Sequence, residues 1–270
     1  MTRIFQVDAF TDQLFGGNPA AVVTLESWLN DETLQLIAKE NNLAETAFIV
    51  PCASDFELRW FTPSSEVALC GHATLATAHV LVTHLGIKSE QINFITRKSG
   101  TLTVSKASDG RLSMSFPTIA VEQSEVDLAM VADALGVKPT SLFTGYYSHD
   151  EFDYMAVLGS RPEVAQLEPC FSHFEKLKSR GVIVTATDDA NDCDFVSRYF
   201  APNFGIEEDP VTGSAHCLLA PYWGSVLNKS ELIARQISTR GGLLACSLQQ
   251  DRTILTGSCV DYLQGEMNLC

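Results

Sequence analysis

Six residues recur at one spacing: Asp55, Phe56, Arg59, Trp60, Phe61 and Pro63 are matched by Asp194, Phe195, Arg198, Tyr199, Phe200 and Pro202, each 139 positions later. Each copy leads through a short loop to a glycine that opens an apolar run, Gly71-His72-Ala73-Thr74 in the first and Gly213-Ser214-Ala215-His216 in the second. Six matches at one offset, followed by equivalent glycines, mark an internal duplication. Two copies are too few to stack as a solenoid, so the pattern predicts two fused, similar domains.

Local patterning fills in each copy. Residues 56–62 and 195–201 are aromatic-rich, alternate in polarity and stop at proline, which predicts strands. Helices are expected over 71–85 and 213–227, apolar on nearly every side and therefore buried. A further helix is expected from Asp31 to Asn41, capped by Asn30, with strands near Val22, Phe48, Phe94, Val104, Met114, Val157, Val184 and Ile254. The expected class is α+β, each half a mixed sheet wrapped around one central helix. The stretch from Pro117 to Ser124 has turn and cap residues without periodicity, which sets the halves at 1–117 and 118–270, with the last strand free to cross to the first half.

Composition narrows the function. A chain of 270 residues, 46% of them hydrophobic, can bury a large core. A net charge of −15 argues against nucleic acid or an anionic membrane as partner, because both require clustered Lys and Arg. The N-terminal segment carries Arg3 and Asp8 in an alternating pattern, unlike a signal peptide, and no stretch has the length of a membrane span. The eight cysteines, Cys52, Cys70, Cys170, Cys193, Cys217, Cys246, Cys259 and Cys270, are scattered without metal-ligand spacing. These features lead to the expectation of a reduced, cytoplasmic protein with no structural metal.

Three places can carry chemistry. Asp209-Pro210-Val211-Thr212-Gly213-Ser214 sets a carboxylate, two hydroxyls and free backbone N–H groups at the start of a buried helix, which suits either an anion or simple helix capping. Cys70-Gly71-His72 forms the equivalent start in the first half, where the helix dipole lowers the pKa of His72 and favours a neutral imidazole. Glu45 stands at the entrance to an apolar strand, as a solvated end charge or as a partly desolvated acid/base.

The segments Asn18-Pro19-Ala20-Ala21-Val22-Val23, Glu45-Thr46-Ala47-Phe48, Phe61-Thr62-Pro63, Cys70-Gly71-His72-Ala73-Thr74 and Asp209-Pro210-Val211-Thr212-Gly213-Ser214-Ala215 occur in this order along nearly the whole chain. In this the sequence resembles the PhzF-like isomerase family, named for the phenazine-biosynthesis isomerase. The resemblance implies the diaminopimelate epimerase-like fold, two pseudo-symmetric halves with a site between them, and a homodimer. It matches Glu45 to the family's catalytic acid/base and His72, Asp209 and Ser214 to its supporting residues. Asn18, Gly71, Ala73, Thr74, Thr212 and Gly213 fall at substrate-lining positions. The implied reaction moves a proton between carbons of a small carboxylate-bearing metabolite. It requires no redox cofactor, in keeping with the lack of any GxGxxG, Walker or HExxH pattern.

Two other readings compete. A two-thiol epimerase of the same fold requires a cysteine before each helix-start glycine; Cys70 qualifies, but its counterpart Thr212 is far too weak an acid. A non-catalytic small-molecule-binding protein is the other, since fold does not establish turnover.

Overall fold

The computed structural model describes residues 2–269, and the chain divides into two units, Met1–Ser115 with Thr256–Cys270, and Phe116–Leu255.

In the first unit, β1 (Thr2–Ala9) and β2 (Asn18–Thr24) pair antiparallel. The approach to β2 requires glycine at position 17: its φ is +63°, and a Cβ there would stand 2.2 Å from the Ala9 carbonyl oxygen. Helix α1 (Asp31–Asn41) begins where Asn30 accepts a hydrogen bond from the Thr33 N–H and has Asp31 and Glu32 in its first turn. It ends at Asn42 in the left-handed conformation. β3 (Glu45–Cys52) then runs parallel to β2, with Glu45 opposite Ala20, and β4 (Asp55–Phe61) returns antiparallel to β3. After the two-residue β5 (Glu66–Val67) and helix α2 (Gly71–Thr83), β6 (Gln91–Thr96) joins β4 in parallel. β7 (Thr101–Lys106) and β8 (Leu112–Pro117) follow antiparallel.

Strand alternation divides the two faces of this sheet. Val23, Phe48, Val50 and Phe61 pack with Leu34, Ile37 and Ala38 of α1. Ala20, Val22, Ala47 and Ile49 therefore point to the opposite face, where α2 lies on β1, β2 and β3. Nine residues of α2, from His72 to Leu81, are buried, which accounts for a helix apolar nearly all round.

The second unit repeats this connectivity. β9 (Val121–Gln123) pairs with β10 (Ser141–Tyr146), and helix α3 (Leu128–Leu135) lies between them in sequence. β10 is antiparallel to β11 (Phe152–Val157); after the short helix α4 (Arg161–Ala165), β12 (Gly181–Thr187) is parallel to β11; and β13 (Phe195–Phe200) is antiparallel to β12. Helix α5 (Gly213–Leu227) then leads to β14 (Glu231–Gln236), parallel to β13, and β15 (Gly242–Gln249) is antiparallel to β14. The order antiparallel, parallel, antiparallel, parallel, antiparallel is the same as from β1 to β7. The chain leaves through β16 (Arg252–Gly257) and ends in β17 (Cys259–Met267).

The repeated arginine does the same work in each copy. Arg59 makes a two-pronged ion pair with Glu66 at 2.7 and 2.8 Å, its guanidinium 5.0 Å from the Phe61 ring centre. Arg198 pairs with Glu208 at 2.7 and 3.0 Å and lies 4.8 Å from Phe200. Forked carboxylate pairing over an aromatic ring is chemistry that lysine does not reproduce, so the match at this position reflects shared structure.

Helix α5 contains Pro221, which has no N–H to give the carbonyl of Cys217. The backbone N–H of Ile119 takes that carbonyl instead, at 3.0 Å. The break between the units falls between Ser115 and Phe116, just before the expected boundary, and residues 256–270 group with the first unit. The cause is β17, which pairs antiparallel along the whole of β1. The stretch after Pro117, expected to be irregular, contains β9; three residues are too few to show periodicity, and their order comes from hydrogen bonds to β10. Among the described residues, no helix is long and apolar enough to cross a membrane.

Candidate active site

In the first unit, Glu45, Cys70 and His72 come together because β3 opens at Glu45 on the face that α2 covers. His72 Nε2 is 3.1 Å from Glu45 Oε2, and the two side chains are 7% and 13% exposed. The N–H is not aligned along this contact, so Oε2 has no well-directed hydrogen bond from the protein and stays open to another donor. Cys70 Sγ lies 3.5 Å from His72 Nδ1 and 4.0 Å from Nε2, against the same ring. Asn18 is fully buried two residues before Ala20, the residue opposite Glu45, so it shares the Glu45 face of the sheet.

Burial works to lower the His72 pKa, while Cys70 and Glu45 work to raise it, and the net direction is well above the ordinary value. Burial, and then Glu45, push the Cys70 thiol up from its ordinary value. This direction is opposite to the lowering expected from the helix dipole, because Cys70 and Glu45 beside the ring outweigh the partial charge of a helix terminus.

The start of α2 offers its N–H groups without a side-chain cap: Cys70 is extended, with φ −144° and ψ 111°. The remaining expected residues of this turn face inward. Ala73 is fully buried, and Thr74 turns its hydroxyl to the Cys70 carbonyl at 2.6 Å. At this turn Gly71, Ala73 and Thr74 therefore present backbone rather than a free polar side chain.

The second unit builds an equivalent start to α5. Thr212 is also extended, with φ −108° and ψ 98°, and again no side chain caps the helix. Its hydroxyl instead donates to Asp209 Oδ2 at 2.5 Å. His216 repeats the place of Thr74, its Nδ1 held 2.8 Å from the Thr212 carbonyl. Simple capping by Thr212 or Ser214 is ruled out by these bonds. A Cβ added at Gly213 would meet only Leu255 Cδ1, at 3.7 Å, so protein packing does not demand the glycine.

Two sets of residues that sequence reading missed hold this turn. Gln236, fully buried at the end of β14, accepts from the Thr212 N–H at 2.9 Å and donates to the Asp209 carbonyl at 2.7 Å. Asp153, fully buried on β11, accepts from Arg180 at 3.2 and 2.8 Å, from Tyr147 at 2.8 Å and from Tyr199 at 3.1 Å. Arg180 passes a further hydrogen bond to Ser214 Oγ at 3.0 Å and stacks 3.8 Å from the centre of the Tyr147 ring. Burial, and then the Asp153 charge, raise both phenols well above their ordinary pKa, which keeps them protonated and donating. Of these residues only Tyr199 belonged to a sequence signal, the repeat; the others come from strands and loops without a motif.

A surface depression of about 660 Å³ in the second unit is lined by Arg198, Glu207, Glu208, Pro210, Ser238 and Arg240 among others. None of the expected site residues lines it, so the chemistry is better located from the side-chain constellations than from this hollow.

Comparison with known proteins matches residues 7–265 to the family described as phenazine biosynthesis-like protein. An uncharacterized isomerase of Halalkalibacterium halodurans is 46% identical over 269 residues, covering 99% of both chains. A second uncharacterized isomerase, from Pseudomonas aeruginosa, is 46% identical over 266 residues and covers 98% of both. Among solved structures, a phenazine biosynthesis protein of the PhzF family from Enterococcus faecalis aligns with a TM-score of 0.92 at 43% identity, covering 99% of each chain.

Proposed function

This chain is an isomerase of the phenazine biosynthesis-like family, and from that premise we propose that Glu45 moves a proton between two carbons of a small carboxylate-bearing metabolite. The observation that carries the reading is the Glu45–His72 contact: a mostly buried carboxylate with one poorly satisfied oxygen, 3.1 Å from the His72 imidazole.

The Glu45 carboxylate takes a proton from one substrate carbon and becomes a carboxylic acid. The electron pair left behind shifts along the substrate, and the His72 imidazolium opposes the charge that develops there. Glu45 then returns its proton to the second carbon and regains its carboxylate. Atoms and charge balance with no electron transferred to or from the protein, so the step needs no redox cofactor. In the second unit the uncapped first turn of α5, with Asp209 and Ser214 held in place by Gln236 and Arg180, suits a polar or anionic group. With a net charge of −15 the protein has little general attraction for anions, which puts the selection of an anionic ligand on such local features. The reading extends to a cytoplasmic homodimer acting on a small molecule.

The test is exchange of carbon-bound hydrogen in deuterated water, followed by NMR, across a panel of small carboxylic acids with an activated C–H. The Glu45→Gln variant, which keeps the shape and removes the base, should lose at least about a hundredfold in exchange rate. Full exchange by Glu45→Gln on a compound turned over by the unaltered protein would overturn the assignment.

A further inference from the structure

We propose that His79, His84 and Asp261 form a binding site for one divalent transition-metal ion, Zn(II) by its chemistry, that ties the last strand of the chain to the end of α2. The site lies within the first unit and is independent of the reaction proposed for Glu45.

The three side chains converge from two elements. His79 is in the last turns of α2, His84 is the residue that closes the helix, and Asp261 is on β17. Asp261 stands opposite Val7 of β1, on the face that α2 covers, immediately before the register shift at Tyr262. Such a bulge bends a strand and fixes where its side chains aim. Both imidazoles present Nε2 to the same oxygen: His79 Nε2 is 3.2 Å from Asp261 Oδ1 and His84 Nε2 is 3.0 Å from it.

These distances have the scale of a coordination sphere. Zinc binds imidazole nitrogen and carboxylate oxygen at roughly 2.0–2.1 Å, which puts neighbouring ligand atoms of a tetrahedron about 3.3 Å apart. Two edges of the triangle already match, and all three donor atoms lie within 4.8 Å of one another. The site is also partly preformed. The His84 ring stacks on Phe5 with centroids 4.9 Å apart and planes at 27°, and both histidine side chains are 19% exposed. Asp261 is 38% exposed, which leaves an approach for the ion and room for a water as fourth ligand.

Two imidazoles and one carboxylate are borderline donors that suit zinc, cobalt or nickel better than magnesium or calcium, which prefer oxygen alone. Without an ion, His79 Nε2 makes a hydrogen bond to Asp261 Oδ1, whereas His84 Nε2 stands close to the same oxygen without an aligned hydrogen bond. In the metal-bound form each ring carries its proton on Nδ1 and gives the Nε2 lone pair to the ion, and neither oxidant nor reductant is involved.

The experiment is a titration of EDTA-treated full-length protein with Zn(II), and with Co(II) as an optical probe. One equivalent should bind, raising the thermal midpoint, and the cobalt form should show the visible absorption of four-coordinate cobalt without a thiolate charge-transfer band. His79→Gln, His84→Gln and Asp261→Asn should each weaken binding by at least about tenfold, the loss expected even from disturbing the surroundings of a metal ligand. Cys70→Ser should leave binding unchanged. Circular dichroism of the metal-free variants checks folding, and Asp261→Asn, on the exposed side of the cluster, provides the test if His84→Gln fails to fold. Binding that survives all three substitutions, or a thiolate band that disappears in Cys70→Ser, would overturn the proposal, the latter by locating the metal at Glu45, Cys70 and His72.

Discussion

Acid should loosen the second unit through one buried ring. His216 is wholly buried at the start of α5, with Nδ1 on the Thr212 carbonyl and Nε2 without a protein partner. Burial lowers its pKa to about 4, against the small opposing effect of the Thr212 carbonyl. Because the folded pKa lies below the unfolded value of about 6.5, the unfolded chain takes up a proton that the folded one refuses. Stability from this group is therefore complete above pH 6.5 and is lost progressively as pH falls toward 4. At 1.36 kcal/mol per pKa unit, going from pH 8 to pH 5 removes about 2 kcal/mol, and the limit below pH 4 is about 3 kcal/mol. His72 opposes this trend: its raised pKa contributes stability that is present below its unfolded value and lost as pH rises through the folded one. The comparison must therefore be between the unaltered protein and His216→Gln, which share His72. Urea unfolding at pH 8, 7, 6 and 5 should show the unaltered protein losing about 2 kcal/mol more than the variant over that range. Parallel pH curves for the two proteins, or a His216 ring resonance that titrates near 6.5 in the folded state, would refute the reasoning.

Gln236→Ala should cost about 2–3 kcal/mol, read by denaturant unfolding, because it strips partners from the buried Thr212 N–H and Asp209 carbonyl. Asp153→Asn, which leaves Arg180 without its carboxylate, should cost about 3 kcal/mol by the same measurement. Gly213→Ala should leave the thermal midpoint within a few degrees, since the added Cβ has space, while lowering the hydrogen-exchange activity if a ligand approaches this backbone. Cys70→Ser should change exchange activity little, because a thiol held protonated by burial is not the base; loss of activity there would favour the two-thiol mechanism instead.

Much of the architecture was legible before any coordinates because it depends on local rules. The duplication follows from side chains that recur at one offset, and both copies of the arginine form the same forked pair. The Asn30 cap and the α1 limits follow from short-range hydrogen bonding, and the two apolar helices from their lack of a polar face. Glu45, His72, Asp209 and Ser214 stood out through motifs, and the structure places Glu45 against His72 in one unit, and in the other Asp209 against Thr212 and Ser214 against Arg180.

What local rules could not supply are the contacts between residues far apart in sequence. The direction of the His72 pKa depends on burial, on Cys70 and on a carboxylate 27 positions away, surroundings that only folding assembles. Gln236 reaches Thr212 across 24 residues and Arg180 reaches Ser214 across 34, through side chains with no distinctive neighbours. His79 and Asp261 are separated by 182 residues and meet because β17 returns to pair with β1. Periodicity and capping act over a few residues, so the sequence alone determined the elements and the candidate proton carrier. Strand pairing decided what each of those side chains touches, and with it the direction of the His72 pKa.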